Sequence, residues 1–93
     1  MDKYYKISKY SYDKAKELNV RLKPSMKGNY KIDIFDVLGN YITSIGHRAY
    51  ADYPTYLKTN GKDFADSRRD LYYKRHKNYK KFSRGWYASK ILW

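Results

Sequence analysis

Alternation of apolar and polar residues marks the middle of the chain as a β-hairpin. In the stretch "YKIDIFDV", Ile32 and Ile34 fall on one face of an extended strand, and Asp33 and Phe35 fall on the other. Gly39 then allows a tight turn, and the β-branched residues of "YITSIG" supply a returning strand. The pattern predicts a hairpin over about residues 30–46. It leaves open a third strand at residues 20–23.

Helix signals stand on both sides of this hairpin. Before it, "SYDKAKELN" predicts a short helix with Ser11 as N-cap and Asn19 at a left-handed end. After it, Pro54 begins a helical turn. Asn60, followed by an acidic first turn, predicts the cap of a longer basic helix over about residues 61–80. The fold class is therefore α+β, a small antiparallel sheet of two or three strands with helices on one side.

Both ends of the chain carry more aromatic residues than frayed termini normally do. Gly85 is expected to break any continuation of the longer helix, and residues 86–93 after it end on Leu92 and Trp93. This tail is predicted to pack on the domain or on a partner. Residues 1–10 alternate Lys with Tyr. This pattern is compatible with an arm that wraps the domain or packs on a partner, and equally with an arm exposed to solvent. The 93 residues predict one small basic domain with these two appendages.

Composition adds a strong positive charge to this picture. The chain has 21 Lys and Arg against 9 Asp and Glu, a formal net charge of +12, and 19% of its residues are aromatic. High charge alone favours disorder, but rings bury large areas even in a small core, so a folded basic domain is predicted. No apolar run approaches the roughly 20 residues of a membrane span. The first residues contain no apolar segment of the kind found in secretory signals, so none is expected. The absence of Cys removes disulfides and thiolate metal sites.

The positive charge is concentrated towards the two ends of the sequence. Residues 2–31 carry a net +6, residues 32–66 a net −2, and residues 67–84 a net +7. Such a surface favours an acidic macromolecule as partner, either a protein or a nucleic acid. The candidate contacts with an acidic partner or a phosphate are Arg68, Arg69, Lys74, Arg75, Lys77, Lys80, Lys81 and Arg84. The candidate aromatic anchors are Tyr4, Tyr5, Tyr10 and Trp93.

Rings and cations are interleaved within residues 67–84, and on a continuous helix several of them form one stripe. Its members recur every three or four residues: Phe64, Arg68, Tyr72, Arg75, Tyr79 and Phe82. Aromatic periodicity of this kind usually indicates core, with arginine stems laid over the rings. The alternative is that the two Arg bind a phosphate or carboxylate while the rings stack. We expect a mixture, with rings mainly in the core and flanking cations as the contact surface.

Signatures of catalysis are weak. His47 and His76 have no metal-ligand spacing, and the glycines fit neither a P-loop nor a dinucleotide-binding motif. Asp63, Asp66 and Asp70 have a helical spacing that could serve a metal nuclease, but it equally suits ion pairs with neighbouring cations. The sequence predicts a protein that is not an enzyme, with no cofactor, no metal and no small-molecule substrate.

Three segments, "SIGHRAYADYPTYL", "RRDLYYKRH" and "GWYASKILW", together resemble a family of small basic proteins encoded by large DNA viruses of algae and protists. The shared steps fall on residues 45–46, 52–56, 68–69, 75–76 and 92–93, and the resemblance spans roughly residues 10–93. Because that family has no assigned biochemical function, the resemblance implies a viral setting and no reaction. It carries no catalytic residues to this chain.

The first hypothesis is a non-enzymatic structural protein of a large DNA virus particle. It would be a minor capsid or internal component that binds acidic surfaces of capsid proteins or packaged DNA. The alternative is a sequence-nonspecific nucleic-acid-binding protein, and a remote alternative is a viral effector that inhibits an acidic host protein. The resemblance implies the virion as location. Without it we expect host cytoplasm or nucleus, and not secretion.

Overall fold

The computed structural model describes residues 4–93, which form a three-stranded antiparallel sheet and four helices. The α+β class predicted from the sequence is confirmed. In chain order the elements are α1 (Lys9–Glu17), β1 (Arg21–Pro24), β2 (Tyr30–Phe35), β3 (Tyr41–His47), α2 (Tyr53–Asn60), α3 (Lys62–Arg75) and α4 (Arg84–Ile91).

The sheet has the strand order β1–β2–β3. The predicted hairpin is present, and residues 21–24 supply the third strand. Ile32 lies opposite Ile45, and Leu22 lies opposite Ile34. Because cross-strand partners share a face of the sheet, these four side chains form one apolar face, which is buried.

That apolar face belongs to one buried cluster with residues from both ends of the chain. Ile7, ahead of α1, and Ala15 within it join the cluster, as do Tyr87, Ile91 and Leu92. The predicted tail is therefore mostly the helix α4, and its Ile91 and Leu92 are 0% and 1% exposed. The sheet positions α1 and α4, and the two helices complete the core that a chain this short needs.

The start of α1 differs from the sequence prediction. Ser8 is the N-cap, and its side chain accepts a hydrogen bond from the Ser11 backbone N–H at 3.2 Å. Ser11 lies within the helix, where its hydroxyl donates to the Ile91 carbonyl at 2.9 Å. Both serines suit a cap, and packing against α4 decides between them. Asn19 has a φ of 57°, which confirms the predicted left-handed end.

Helices α2 and α3 follow one another directly at Gly61. Asn60 is the last residue of α2 and does not cap α3, so that prediction is wrong. Gly61, with a φ of 87°, takes the cap position without a side-chain hydrogen bond. A backbone at positive φ favours glycine over asparagine. At the other end of α2, Asp52 is the N-cap and Pro54 lies in the first turn, as its sequence position predicts.

Helix α3 ends at Arg75 and does not continue to residue 80. Asn78 and Phe82 adopt φ values of 65° and 69°, which a right-handed helix cannot contain. The helix therefore ends well before Gly85, the residue predicted to break any continuation, and Gly85 itself is the second residue of the separate helix α4. A Cβ atom at Gly85 would overlap the Tyr79 ring. Glycine therefore serves a close approach of this ring to the helix backbone.

We predict that Leu92→Ala lowers the free energy of unfolding by about 2–5 kcal/mol, because it leaves a cavity beside the sheet. Leu38→Ala is the matched control, since Leu38 is 84% exposed in the hairpin turn and should stay within about 0.5 kcal/mol of the parent. Urea denaturation followed by tryptophan fluorescence measures both. Equal midpoints for the two variants would contradict the packing of α4 against the sheet.

Candidate functional site

A cavity of about 490 Å³ opens between α3, α4 and the segment between β3 and α2. We call it the α3–α4 cavity. Its volume falls within the range of pockets that hold small molecules. Its walls include two histidines that are far apart in sequence, His47 and His76, and two arginines from α3, Arg68 and Arg75. Their separation in the sequence does not predict that the two histidines line one cavity.

A buried ion pair forms part of the cavity wall. The Lys31 ammonium lies 2.7 Å from Asp52 Oδ2, and the two side chains are 5% and 1% exposed. The Tyr5 hydroxyl donates to the same oxygen at 2.7 Å. The other oxygen, Oδ1, accepts from the Thr55 backbone N–H at 3.0 Å and from the Thr55 hydroxyl at 2.7 Å. Both carboxylate oxygens are therefore fully hydrogen-bonded, as a buried charge requires.

The same carboxylate connects three separate parts of the chain. Tyr5 precedes α1, Lys31 is in β2, and Thr55 is in the first turn of α2. Burial raises the pKa of the Tyr5 hydroxyl above its ordinary value, and the Asp52 carboxylate raises it further. Tyr5 thus remains a protonated donor across the pH range in which proteins are handled. The hydroxyl of Tyr5, one of the candidate aromatic anchors, thus makes its hydrogen bond within the domain.

The spacing of α3 places Arg68, Tyr72, Arg75 and His76 on one side, towards the cavity. The Arg68 guanidinium lies 5.5 Å from the centre of the Tyr56 ring, a cation–π distance that positions it at the wall. Within residues 4–93, neither arginine forms an ion pair with a carboxylate. Both guanidinium groups are therefore available to an external anion.

Rings from α3, the following loop and the C-terminus form a stack beside these arginines. The Tyr72 ring centre lies 4.4 Å from that of Trp93, with 9° between the planes, and 4.4 Å from that of His76. His76 in turn stacks on Tyr79 at 5.8 Å, and the Tyr79 hydroxyl lies 2.6 Å from His76 Nδ1. Burial raises the pKa of Tyr72, and the nearby Tyr79 raises it further. The stack fixes the side chains that line this wall.

The stripe predicted on one continuous helix is divided in the structure. Tyr72 is 9% exposed and belongs to the interior, as predicted. Phe64, Tyr79 and Phe82 are 43%, 37% and 62% exposed, so the prediction that rings are mainly core is wrong for them. The early end of α3 at Arg75 explains the last two, because the helical period no longer applies beyond it.

Most of the other predicted contact residues lie outside the cavity. Arg69 is a third exposed, stacks on Tyr53 at 4.0 Å and pairs with Asp66 at 3.5 Å. The remaining cations are exposed, on the last turn of α3, in the loop after it and at the start of α4. We call them the loop cations: Lys74, Lys77, Lys80, Lys81 and Arg84.

The aromatic anchor candidates are used mostly within the chain. Tyr10 donates a hydrogen bond to the Trp93 carbonyl at 3.0 Å, and Trp93 takes part in the ring stack. Tyr4 differs from the others, since it is 46% exposed. Residues 1–3 of the predicted arm lie outside the described residues. The arm from Tyr4 onward therefore contributes to the domain through Tyr5, Ile7 and the start of α1.

The three aspartates of α3 do not form a metal site. Asp66 accepts hydrogen bonds from Lys62 at 2.6 Å and from Tyr53 at 2.7 Å, which supports the ion-pair interpretation of this spacing. No group of three potential ligands from His, Cys, Asp and Glu is found among residues 4–93. No helix in that range has the length and apolar character needed to cross a membrane.

The ion pair and the cavity are the features that sequence reasoning missed. A lysine inside an apolar strand pattern, as in "YKIDIF", is a weak signal for a buried partner. An aspartate ahead of "YPT" is a signal for a helix cap. Neither signal identifies Lys31 as the partner of Asp52, because 21 residues separate them and only the fold brings them together.

We predict that Asp52→Asn destabilises the protein by about 3–5 kcal/mol, because it leaves the buried Lys31 without a countercharge. Because asparagine keeps a side-chain oxygen that can accept the N-cap hydrogen bond, the loss of stability reports the removal of the negative charge. Adding Lys31→Met should recover part of that loss, while Asp70→Asn on the exposed face of α3 serves as the control. Chemical denaturation measures all four proteins. An Asp52→Asn midpoint equal to that of the control would contradict the account.

Comparison with protein-family models, with curated proteins and with solved structures finds no match to this chain.

Proposed function

We propose that this protein is a non-enzymatic structural component of a large DNA virus particle. It would bind acidic surfaces of capsid proteins or packaged DNA as a minor capsid or internal protein. The observation that carries the acidic-partner part is the set of loop cations. All five are exposed, and none has a carboxylate partner among the described residues. The viral setting is supported by the resemblance of the three quoted sequence segments.

The loop cations gain little from the folded chain itself. Exposed ion pairs contribute about 0–1 kcal/mol each in water, and these cations lack even a carboxylate partner. Their internal contacts are with rings: Arg84 lies 4.7 Å from the centre of the Tyr30 ring, and Lys81 lies 5.1 Å from that of Phe82. A cluster of such cations raises the local concentration of acidic partners and speeds their association. Tyr79 and Phe82 are partly exposed among them, and aromatic side chains anchor protein interfaces. The exposed rings and the loop cations together suit a polar interface with an acidic surface of another protein.

A second candidate function is sequence-nonspecific nucleic-acid binding, and the exposed rings favour it. Tyr73, Tyr79 and Phe82 are 43%, 37% and 62% exposed and lie beside lysines. Unpaired bases stack on such rings while neighbouring cations bind the phosphates. Contacts of rings with base faces and of cations with phosphates carry little sequence information, so affinity without sequence preference is the expectation.

The location in the particle is tested by mass spectrometry of purified virions of the encoding virus, disassembled layer by layer. The proposal expects the protein in washed particles, released together with capsid proteins or with the genome. Its release with the genome alone would favour the nucleic-acid candidate. Its absence from particles, with presence in infected cells, would contradict the structural role.

The contribution of the loop cations is tested by duplex binding at several salt concentrations. We expect affinity in the micromolar range at low salt and loss of binding by a few hundred millimolar, because about five or more phosphates are neutralised. The triple variant Lys77→Ala, Lys80→Ala and Lys81→Ala should weaken binding and lower the salt slope by about 2–3. Fluorescence anisotropy with unrelated duplexes measures both quantities.

The matched control removes three exposed lysines elsewhere, in the triple variant Lys6→Ala, Lys16→Ala and Lys58→Ala. It lowers the net charge by the same amount and should change the slope much less. If both triple variants lose the same affinity, binding follows total charge and the loop has no special part. A flat salt response of the parent protein would remove the phosphate mechanism.

A further inference from the structure

We propose that the α3–α4 cavity binds a phosphate monoester attached to a planar ring, as in an aryl phosphate or a nucleoside monophosphate. The sequence leads us to expect no small-molecule substrate, and this site is a binding site without a reaction. The inference goes beyond the proposed function, because it rests on the cavity and not on the loop cations. It stands or falls independently of any macromolecular partner.

The net charge of the side chains that line the cavity favours a ligand with two negative charges. Asp52 carries the one acidic side chain among the residues that line the cavity, and the ammonium of Lys31 at 2.7 Å neutralises it. The side chains of Arg68 and Arg75 remain, and together they contribute a formal charge of +2. A phosphate monoester carries a charge of about −1.5 to −2 near neutral pH and offers three acceptor oxygens. A carboxylate would leave one guanidinium without a partner.

The geometry of arginine also favours phosphate. Each guanidinium presents a planar fork of N–H donors that matches two oxygens of one phosphate. Arg68 and Arg75 are two helical turns apart on the same side of α3, with Tyr72 between them. Two forks on one wall can therefore approach a phosphate from two sides. Arg68 is held in place by its contact with Tyr56, which lowers the entropy lost on binding.

Aromatic and apolar side chains at the cavity provide surfaces that a planar ring of the ligand can contact. Tyr50 lies at the cavity and is 72% exposed, although its ring contacts that of His47 at 5.2 Å. An exposed ring beside a cavity is a surface on which a ligand ring can stack. Trp93 and Leu92 supply apolar contact on the same walls. A bare phosphate would fill little of the roughly 490 Å³.

The cavity is formed by fixed elements. A Cβ atom at Gly46 would lie 2.7 Å from Leu92 Cδ1 and 3.0 Å from Lys31 Cδ, and the φ of Gly46 is 76°. Glycine at this position therefore keeps β3 close to α4. The stack of Tyr72 on Trp93 in turn holds α3 against the residue that follows Leu92. A site whose walls are held in this way needs little rearrangement to bind.

The test is a titration of the full chain with phenyl phosphate, followed by NMR spectra of the backbone, the arginine Nε–H groups and the tryptophan indoles. We expect saturable shifts at Arg68, Arg75 and the Trp93 indole. Inorganic phosphate and phenol should each bind at least about tenfold more weakly than phenyl phosphate, because each lacks one half of the contacts. A nucleoside 5′-monophosphate is titrated in parallel, and the tighter of the two esters identifies the source of the ring.

Variants separate the cavity from general charge. Arg75→Gln, at an exposed side chain, should weaken phenyl phosphate binding about tenfold, and Arg68→Gln with Arg75→Gln should weaken it further. The double variant Lys16→Gln and Lys58→Gln removes the same charge outside the cavity and should leave affinity unchanged. The proposal is overturned if the shifts fall on the loop cations and not on the cavity residues. It is equally overturned if all variants bind alike, or if inorganic phosphate binds as well as the ester.

Discussion

The hydrogen-bonded ion pair of Lys31 and Asp52 is the interaction on which the rest of the structure depends. A buried carboxylate is costly unless every lone pair is satisfied, and here the donors come from Tyr5, β2 and the first turn of α2. These segments are far apart in sequence, so their bonds form only when the native arrangement forms. The pair therefore specifies one relative placement of the segment before α1, the sheet and α2. An apolar contact alone is less directional and would specify this placement less strictly.

The candidate site follows from this constraint and from two close approaches. Asp52 fixes the start of α2, α2 leads directly into α3, and α3 presents two arginines beside Tyr72. Gly46 brings β3 against Leu92, and Gly85 lets Tyr79 lie on α4. Apolar walls, fixed rings and arginines without carboxylate partners are thus held together around one cavity. The loop cations lie outside it, so the protein has two positively charged features that are separable by mutation.

The sequence predicts what depends on local pattern. Alternation around Ile32 identifies the hairpin, and Asn19 identifies a left-handed helix end. The sequence fails where distant contacts decide. Ser8 and not Ser11 caps α1, because Ser11 bonds to the Ile91 carbonyl. Of the candidate site, helical spacing correctly pairs Arg68 with Arg75 on one side of α3. The buried pair and the cavity could not be predicted, because single-sequence periodicity carries no information on which distant residues meet.

Amide hydrogen exchange at Thr55 tests the central claim most directly. Its N–H donates to Asp52 Oδ1, at the junction of the ion pair with α2. If the pair holds the fold together, this amide exchanges only through global unfolding, as slowly as amides in the centre of β2 such as that of Ile32. Exchange of the Thr55 amide many times faster than that of Ile32, under the same conditions, would show that α2 opens independently of the sheet. That result would contradict the account.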